Sequence, residues 1–197
     1  MGKKAEYKSA IRSRRMIRQA FLELMREKEL GKITVTDVVT RADLNRGTFY
    51  SHYQDIRAVI EQIENEIIDN MLELLGDFHY NKFFDDPLPL LLKVSRNIEK
   101  DLEFYRVLIN SSGSQQFLIK LENVFIEYMK NNSDIPEHIK RTPEFIIRAH
   151  FFAGGIINLY QVWFWGQIDN SLSELSLVIS QFITTNAKLF MESNLVI

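Results

Sequence analysis

The chain has 197 residues, of which 46% are apolar and 25% are charged, as in folded globular proteins and unlike disordered chains. It contains no cysteine, which excludes disulfides, thiolate metal ligands and cysteine nucleophiles and suits a reducing cytoplasm. The net charge of −2 is unevenly distributed, since residues 1–60 carry thirteen Lys or Arg against seven Asp or Glu. A basic first third suggests contact with a polyanion, although an uneven distribution of surface charge without any function would give the same pattern. The first residues carry no secretory pattern, so we expect a cytoplasmic protein.

Apolar residues recur at spacings of three and four along almost the whole chain, and no segment alternates as a half-buried strand does. Proline clusters near residues 87–89 and 136–143 predict two breaks. The sequence therefore predicts an all-α fold of about nine helices, which begin near Lys4, Val35, Arg46, Asp55, Leu88, Asp101, Ser114, Pro143 and Leu172.

The first predicted helix has two different faces. Its apolar stripe, which we expect to be core, consists of Ile17, Ala20, Phe21, Leu24 and Met25. Its opposite side is basic and polar, with Lys8, Arg12, Arg15, Gln19 and Arg26. Such a side is either ordinary solvated surface or a face that lies beside a phosphate backbone.

Two short helices follow, joined by a tight turn. Thr34, with Asp37 three residues later, predicts a capping box at the start of the first. The run Asp43-Leu44-Asn45 favours a turn in which Asp43 can adopt the left-handed conformation, and Asn45 is placed to cap the next helix. In that helix only Phe49, followed by Tyr53, is placed to anchor the core.

The second short helix is rich in hydrogen-bond donors, which is typical of a helix-turn-helix whose second helix enters the DNA major groove. Arg46 can contact guanine in a bidentate manner, and Gly47 would allow close approach of the backbone. Tyr50, Ser51 and His52 can reach phosphate or base edges. A plain helical hairpin is the alternative, but it has no need for so many exposed donors.

The segment from Ile33 to Tyr53, and above all Asn45-Arg46-Gly47-Thr48-Phe49-Tyr50-Ser51-His52-Tyr53, resembles the DNA-binding domain of the TetR family of bacterial regulators. The resemblance covers about residues 9–60. Carried over by position, it implies phosphate or sugar contacts from Thr34, Asn45, Thr48, Tyr50 and His52. It implies base contacts from Arg46, Gly47 and Ser51.

The chain departs from the family pattern at two positions. Asp43 stands where relatives usually have Gly, and Ile56 stands where they usually have a Lys that touches phosphate. Arg57 is the nearest substitute for that Lys, with a different direction along the helix.

The resemblance implies a DNA-binding domain at residues 1–54 and a C-terminal effector-binding and dimerisation domain at residues 55–197. The implied function is a homodimeric repressor that binds a palindromic operator in double-stranded DNA. The fourth predicted helix continues for about five turns, long enough to join the two domains as a rigid element. In the family, an effector tilts this helix and thereby changes the separation of the two reading heads.

Residues 149–168 form a stretch of twenty residues without Asp, Glu, Lys or Arg. A membrane span is one interpretation, but His150 and Asn158 lie within the stretch, and we expect no membrane association. A helix buried between its own core and a partner subunit is the simpler interpretation. With the last helix it predicts a four-helix dimer interface that includes Phe152, Gly155, Trp165, Leu175, Ile179 and Phe182.

Aromatic and polar residues of the C-terminal region predict a pocket for an unknown small-molecule effector, lined by Phe104, Tyr105, Phe125, Tyr128, His150, Asn158 and Trp163. Ordinary core packing would produce the same pattern, and a protein partner is an alternative to the small molecule. We expect no cofactor, metal or catalysis, because the histidines lack metal-ligand spacing and no phosphate loop or nucleophile elbow occurs. A helical scaffold without DNA binding is the remaining rival.

Overall fold

The computed structural model describes residues 2–76, 78–111 and 113–193, with side chains from residue 9 to 186 except at 77, 80, 81 and 112. This part of the chain is all α-helical, as predicted, with a short 3-10 helix at Leu30–Lys32. The α-helices are α1 (Gly2–Glu27), α2 (Val35–Arg41), α3 (Arg46–Tyr50), α4 (Ile56–Leu74), α5 (Tyr80–Asp85), α6 (Leu88–Glu99), α7 (Leu102–Ile109), α8 (Ser114–Asn131), α9 (Glu137–Lys140), α10 (Pro143–Phe164) and α11 (Leu172–Ser193).

The predicted helix count of about nine is close to the eleven of the described residues. The two additional helices are α5 and α9, which have six and four residues. They fall where the prolines predicted breaks. Helices this short complete too little of an apolar face to be visible as periodicity.

The helices group into two compact units. The first consists of Met1–Ile67 together with Glu103–Gln115, and the second consists of Ile68–Leu102 together with Gln116–Ile197. The first unit therefore contains α1, α2 and α3, most of α4, and all of α7 except its first residue. A segment from the middle of the chain thus belongs to the same unit as the N-terminal helices.

The core of the first unit lies between α1 and the two short helices, because α1 packs against both α2 and α3. The predicted stripe of α1 supplies it, with Ile17 at 0% and Phe21 at 1% exposure. From the other side come Val38 and Phe49, both fully buried.

The second unit contains a buried cluster of hydroxyl groups. Ser95 Oγ of α6 lies 2.9 Å from the Tyr160 hydroxyl of α10 and 2.8 Å from Ser176 Oγ of α11. Ser176 in turn donates to the carbonyl oxygen of Leu172 at 2.9 Å. Because all three hydroxyls are buried, losing Ser95 would remove a hydrogen bond from each of the other two, and the cluster fixes the register of three helices.

The uncharged stretch that raised the question of a membrane span lies largely in α10. That helix begins after the N-cap Thr142, whose side chain accepts a hydrogen bond from the Phe145 amide. Throughout the described ranges, no helix combines the length and the hydropathy needed to cross a bilayer.

We predict that Ser95→Ala lowers the free energy of unfolding by about 1–3 kcal/mol, because it removes a bond from two hydroxyls that water cannot reach. Chemical denaturation should show a lower midpoint with an unchanged slope. Ser173→Ala, at an exposed position of α11, is the matched control and should change stability by less than about 0.5 kcal/mol. Equal stability of the two variants would contradict a structural role for the cluster.

Candidate functional site

The start of α2 has the predicted capping box. Thr34 Oγ1 accepts from the Asp37 amide at 3.2 Å, and the Thr34 amide donates to Asp37 Oδ2 at 2.9 Å. Lys28 Nζ lies 2.6 Å from the other carboxylate oxygen of Asp37. The hydrogen bond from Lys28 and those from Thr34 lower the pKa of Asp37 to about 2. The carboxylate is therefore charged at neutral pH and fixes the first turn of α2.

The turn into α3 also follows the prediction. Asp43 has a positive φ of 51°, the left-handed conformation expected of it. Asn45 Oδ1 then accepts from the Thr48 amide at 2.7 Å and so caps α3. A Cβ atom at position 47 would lie 3.2 Å from that same oxygen. Gly47 thus leaves room for the cap, a role within the fold that does not involve DNA.

The five-residue helix α3 has one buried and one exposed side. Phe49 is fully buried and Tyr53, just after the helix, is 6% exposed, so both anchor the core as predicted. Tyr50 packs edge-on against the Phe49 ring and remains 56% exposed. Arg46 is exposed, and its guanidinium donates to Thr36 Oγ1 of α2 at 2.7 Å. The Arg46 side chain is therefore held across the outer surface of both short helices.

Three hydroxyls of the predicted DNA-contacting set donate within the protein. Thr48 Oγ1 donates to Asn45 Oδ1 at 3.2 Å, and Ser51 Oγ donates to the Thr48 carbonyl oxygen at 2.7 Å. Thr34 Oγ1 donates to Asp37 Oδ2 at 2.8 Å. To contact a phosphate, which only accepts, each hydroxyl would have to rotate away from its present partner.

His52 is half-buried and contacts α1. Its Nε2 lies 2.7 Å from Ser13 Oγ, which is also within 3.0 Å of the Ser9 carbonyl oxygen. All of these atoms are satisfied when Ser13 donates to its own helix and His52 Nε2 donates to Ser13. Burial lowers the pKa of His52, and the positive charge of Arg14 lowers it further, so the ring is neutral at pH 7. His52 thus ties the end of the short helices to α1.

Three acidic residues of this region, Glu23, Glu27 and Asp37, have basic partners, whereas Asp43 in the turn before α3 has no ion pair among the described residues. Besides the pair of Lys28 with Asp37, Arg41 lies 2.7 Å from Glu27 and 3.4 Å from Glu23. The Arg41 contact lowers the pKa of Glu27. In contrast, five exposed arginines have no ion pair among the described residues: Arg12, Arg14, Arg15, Arg26 and Arg46. The positive charge that the sequence placed in this region is therefore available to an external anion.

The two family departures have local explanations. Asp43 adopts the backbone conformation that usually favours glycine. Ile56 is half-buried at the start of α4, and Arg57 next to it is exposed with its Nε 3.1 Å from Glu61 Oε1. Arg57 therefore already has an anionic partner on its own helix.

The residues predicted to line an effector pocket lie in several places. Phe104 and Tyr105 are buried in the first unit, at 5% and 8% exposure. In the second unit, Tyr128 donates to the Leu75 carbonyl oxygen at 2.5 Å and Trp163 donates to that of Asn170 at 2.6 Å. His150 and Asn158 are exposed, and His150 Nδ1 lies 3.1 Å from Glu122 Oε1.

An apolar cavity in the second unit includes one member of that set, Phe125. It contains about 370 Å³ of empty space, part of which is open to solvent. Five of its lining side chains are phenylalanines, and one, Arg148, is charged. The lining consists of Phe83, Phe84, Phe125, Met129, Phe145, Arg148, Ala149, Phe152 and Ile156. The adjacent pair Phe83-Phe84 is a sequence signal that periodicity misses, because it lies between two predicted helices.

The residues predicted to form a dimer interface fall into two groups. Phe152, Leu175 and Ile179 are buried in the second unit at 8%, 4% and 2% exposure. Gly155, Trp165 and Phe182 are exposed. The exposed apolar surface is completed by Ile147, Phe151 and Leu159 on α10 and by Leu177 and Val178 on α11. We call this set, with Gly155 and Phe182, the apolar stripe.

The histidines do not gather into a metal centre. Among the described residues, no group of three or more His, Asp or Glu side chains is arranged to hold a metal ion. His79 and His150 each lie next to a single carboxylate, that of Asp134 and that of Glu122.

Several curated proteins are similar to the chain in sequence. The HTH-type dhaKLM operon transcriptional activator DhaS of Lactococcus lactis is 29% identical over 59% of this chain and 60% of its own length. The HTH-type transcriptional regulator YxbF of Bacillus subtilis is 30% identical over 70% of this chain and 36% of its own length. The chain thus matches between about one third and three fifths of the length of these relatives.

Solved structures share the fold. A TetR-family transcriptional regulator from Syntrophomonas wolfei matches with a TM-score of 0.69 at 15% identity, over 89% of this chain and 94% of that one. A TetR regulator from Streptococcus agalactiae matches with a TM-score of 0.62 at 18% identity, over 91% and 97%. At these identities the likeness concerns the fold alone.

The C-terminal part matches a family model. Residues 85–185, which are 101 of the 197, fit the TetR model described as a transcriptional regulator C-terminal region. This model covers the half of the chain in which the sequence alone had indicated only a similar layout. With this match, and with the helix-turn-helix geometry of α2 and α3, the chain belongs to the TetR family of transcriptional regulators.

Proposed function

We propose that the chain binds an operator in double-stranded DNA as a homodimer, inserting α3 of each subunit into the major groove, and that it represses transcription. Residues 1–54 would make the DNA contacts, and residues 55–197 would form the dimer and bind the effector. The observation that carries the proposal is the two-sided packing of α3. Phe49 is fully buried, while Arg46 and Tyr50 point outward.

The contacts within α2 and α3 support specific roles for individual residues. The hydrogen bond to Thr36 already holds Arg46 across the outer surface of α2 and α3. From there its guanidinium would reach a base edge in the major groove. Tyr50, with a hydroxyl on an exposed ring, suits a phosphate contact, as do the backbone and side chains of Thr34, Asn45 and Thr48. We propose Gly47 and Ser51 as further base-reading positions, and His52 as a phosphate contact that its Nε2 can make only by leaving Ser13 Oγ.

The charge distribution favours a nucleic acid over other partners. Asp37, Glu23 and Glu27 near the short helices are neutralised by Lys28 and Arg41, whereas the exposed arginines of α1 and α3 are not paired within the described chain. A phosphate backbone would supply the missing anions and release its counterions. A helical scaffold with no DNA partner would have no need for this separation of charges.

We propose repression over activation because repression requires no surface beyond those that bind DNA and the second subunit. A dimer on a promoter blocks polymerase by occupancy, whereas activation needs a surface that recruits polymerase. The Lactococcus lactis relative is a transcriptional activator, so we test for this chain whether it represses or activates. Since the target of either action is chromosomal DNA, we place the protein in the bacterial cytoplasm.

We predict that the full chain selects a palindromic duplex from a random library and that its affinity falls by about 10³–10⁵ between 50 and 200 mM salt, because roughly 6–10 phosphates are contacted. Arg46→Ala should lose discrimination at one base position, by about 1–3 kcal/mol, because it removes a bidentate base contact. Fluorescence anisotropy on the selected duplex and on single-base variants measures both effects.

The control is Arg141→Ala, which removes an exposed arginine from the second unit and should leave both quantities unchanged. A uniform loss of affinity on every duplex in Arg46→Ala would contradict its base-reading role. Binding without a salt slope would contradict the proposal as a whole. Transcription in vitro from a promoter that carries the selected duplex should fall when the protein is added, and a rise would make it an activator.

The apolar stripe supports a dimer formed by α10 and α11. Phe151, Gly155 and Leu159 are spaced by four residues on α10, as are Val178 and Phe182 on α11, so each set lies along one side of its helix. Val178 and Phe182 are each 58% exposed. A two-fold axis through such a surface would bury it against its own copy. The exposed Gly155 would permit close approach of the helices.

We predict that Phe182→Glu converts the dimer to monomers at micromolar concentration, because the two-fold axis places two new carboxylates in one apolar interface. Light scattering measures the mass, and circular dichroism checks that the helices are retained. Ile119→Glu is the matched control, because Ile119 is also exposed, at 49%, but lies on α8. A wild-type monomer, or equal dissociation of both variants, would refute this interface.

We propose the phenylalanine-lined cavity as the effector site and a small, largely apolar molecule as its ligand. The lining offers wide apolar contact and one cationic group, Arg148. A protein partner is the alternative effector. It would require no change in the cavity on binding.

A thermal-shift screen of small aromatic and aliphatic compounds tests the cavity. At a hundred times its Kd, a ligand stabilises the fold by about 2.7 kcal/mol, which raises Tm by roughly 5–10 °C in a chain of this size. We predict that Ile156→Trp, which fills the cavity, abolishes the shift. Glu144→Trp, at an exposed position of the same helix outside the apolar stripe, should retain it. Equal shifts in both variants would place the ligand elsewhere.

A further inference from the structure

Arg18 joins three helices of the first unit. From α1, its Nε lies 3.3 Å from Glu66 Oε2 on α4. Its guanidinium carbon lies 5.2 Å from the centre of the Phe104 ring on α7. Phe104 is only 5% exposed, so the ring is held firmly beneath the guanidinium. A planar cation can contact a carboxylate at its edge and an aromatic ring with its face at the same time.

The immediate surroundings favour a defined position of Arg18. Its Nε is shut off from solvent and lies within ion-pair distance of Glu66, without the alignment of a hydrogen bond. The other oxygen of Glu66 accepts from Gln62 at 2.8 Å, which orients the carboxylate. A small shift of α4 or α7 would therefore change the Arg18 contacts appreciably.

The helix α1 leads from Arg18 to the proposed reading helix. Ser13, five residues earlier on α1 and so about 7.5 Å along the helix axis, holds His52 at the end of the short helices. Because α1 is a continuous helix through both positions, a displacement of the helix at Arg18 also moves Ser13 and its contact with His52. Burial is the main cause that raises the pKa of Tyr53, adjacent to His52, and the charges of Arg14, Glu66 and Arg18 act on it as well.

Because of the path of the chain, α7 is the helix of the first unit on which a change in the second unit would act first. The segment Glu103–Gln115 packs in the first unit, yet the residues on both sides of it, Ile68–Leu102 and Gln116–Ile197, make up the second. Any rearrangement of the second unit acts on both ends of this segment through the peptide chain. Phe104 is its second residue, next to the point where the chain leaves the second unit.

We propose that Arg18 is a positioning residue that couples α7 to the reading helix, so that the position of Phe104 biases DNA binding through α1. This inference rests on the proposed function, because it needs DNA as the second ligand. By linkage, DNA bound at α3 must then stabilise α7 to the same extent that α7 favours DNA binding.

Hydrogen exchange of the full chain, with and without the selected duplex, tests the coupling. In the wild type, DNA should slow exchange of the α7 amides by about fivefold or more, the lower end of typical coupling. Arg18→Met keeps the length of the side chain and removes the charge. It should retain slowed exchange in α2 and α3 but lose it in α7. Phe104→Leu, which removes only the ring, should behave in the same way.

Arg141→Met is the control, because it removes an exposed charge from the second unit that takes no part in the proposed DNA contacts, and it should resemble the wild type. Slowed exchange of α7 in Arg18→Met equal to that in the wild type would overturn the inference. If DNA slowed no amide anywhere, the proposed function itself would fail. Exchange without DNA separates the two cases, since Arg18→Met should then exchange faster than Arg141→Met in α7 and around His52, and equal rates would overturn the coupling alone.

Discussion

Phe49 is fully buried beneath α3, and this packing decides which side of a five-residue helix meets solvent. A helix of this length has no independent stability, so its orientation comes from the buried ring and from the caps that flank it. Asn45 closes its first turn, and Tyr53 anchors the chain just beyond its end. The outward direction of Arg46 and Tyr50, on which the proposed DNA contacts rest, is a consequence of these inward-facing groups.

The surface around α3 depends on a second constraint, the neutralisation of acidic groups within the unit. Lys28 binds Asp37, and Arg41 binds two glutamates of α1. These contacts are worth little as stability, because the groups are solvent-exposed and screened. Their effect is on the electrostatic potential at the surface, since they neutralise negative charge near the unpaired arginines. Association with a polyanion would therefore meet little local repulsion.

Local features of the fold could be predicted well from the sequence. The caps at Thr34 and Asn45 and the left-handed Asp43 depend on residues within three positions, and all three predictions are confirmed. Side-chain direction in the second half was harder to infer. The last helix is apolar on two sides, so Leu175 and Phe182 read alike in the sequence, although one is 4% and the other 58% exposed. The packing of α11 against α5 and α6 separates them.

Contacts between distant parts of the chain could not be predicted from periodicity at all. From the sequence alone, Phe104 is assigned to the C-terminal region, because nothing near it in the chain indicates that it packs with α1. The cavity is a similar case, because its lining comes from α5, α8 and α10 together. Such sets become visible only when helices far apart in sequence are brought together.

The packing of residues 103–115 in the first unit affects the order in which the protein can fold during translation. Phe104 lies 86 positions after Arg18, so α1 must wait for most of α4 to α7 to leave the ribosome before that contact can form. Long-range contacts of this kind slow folding, because a large loop has to close first. The N-terminal helices therefore emerge first but complete their packing late. A nascent reading head would remain unfinished until more than half of the polypeptide has been translated.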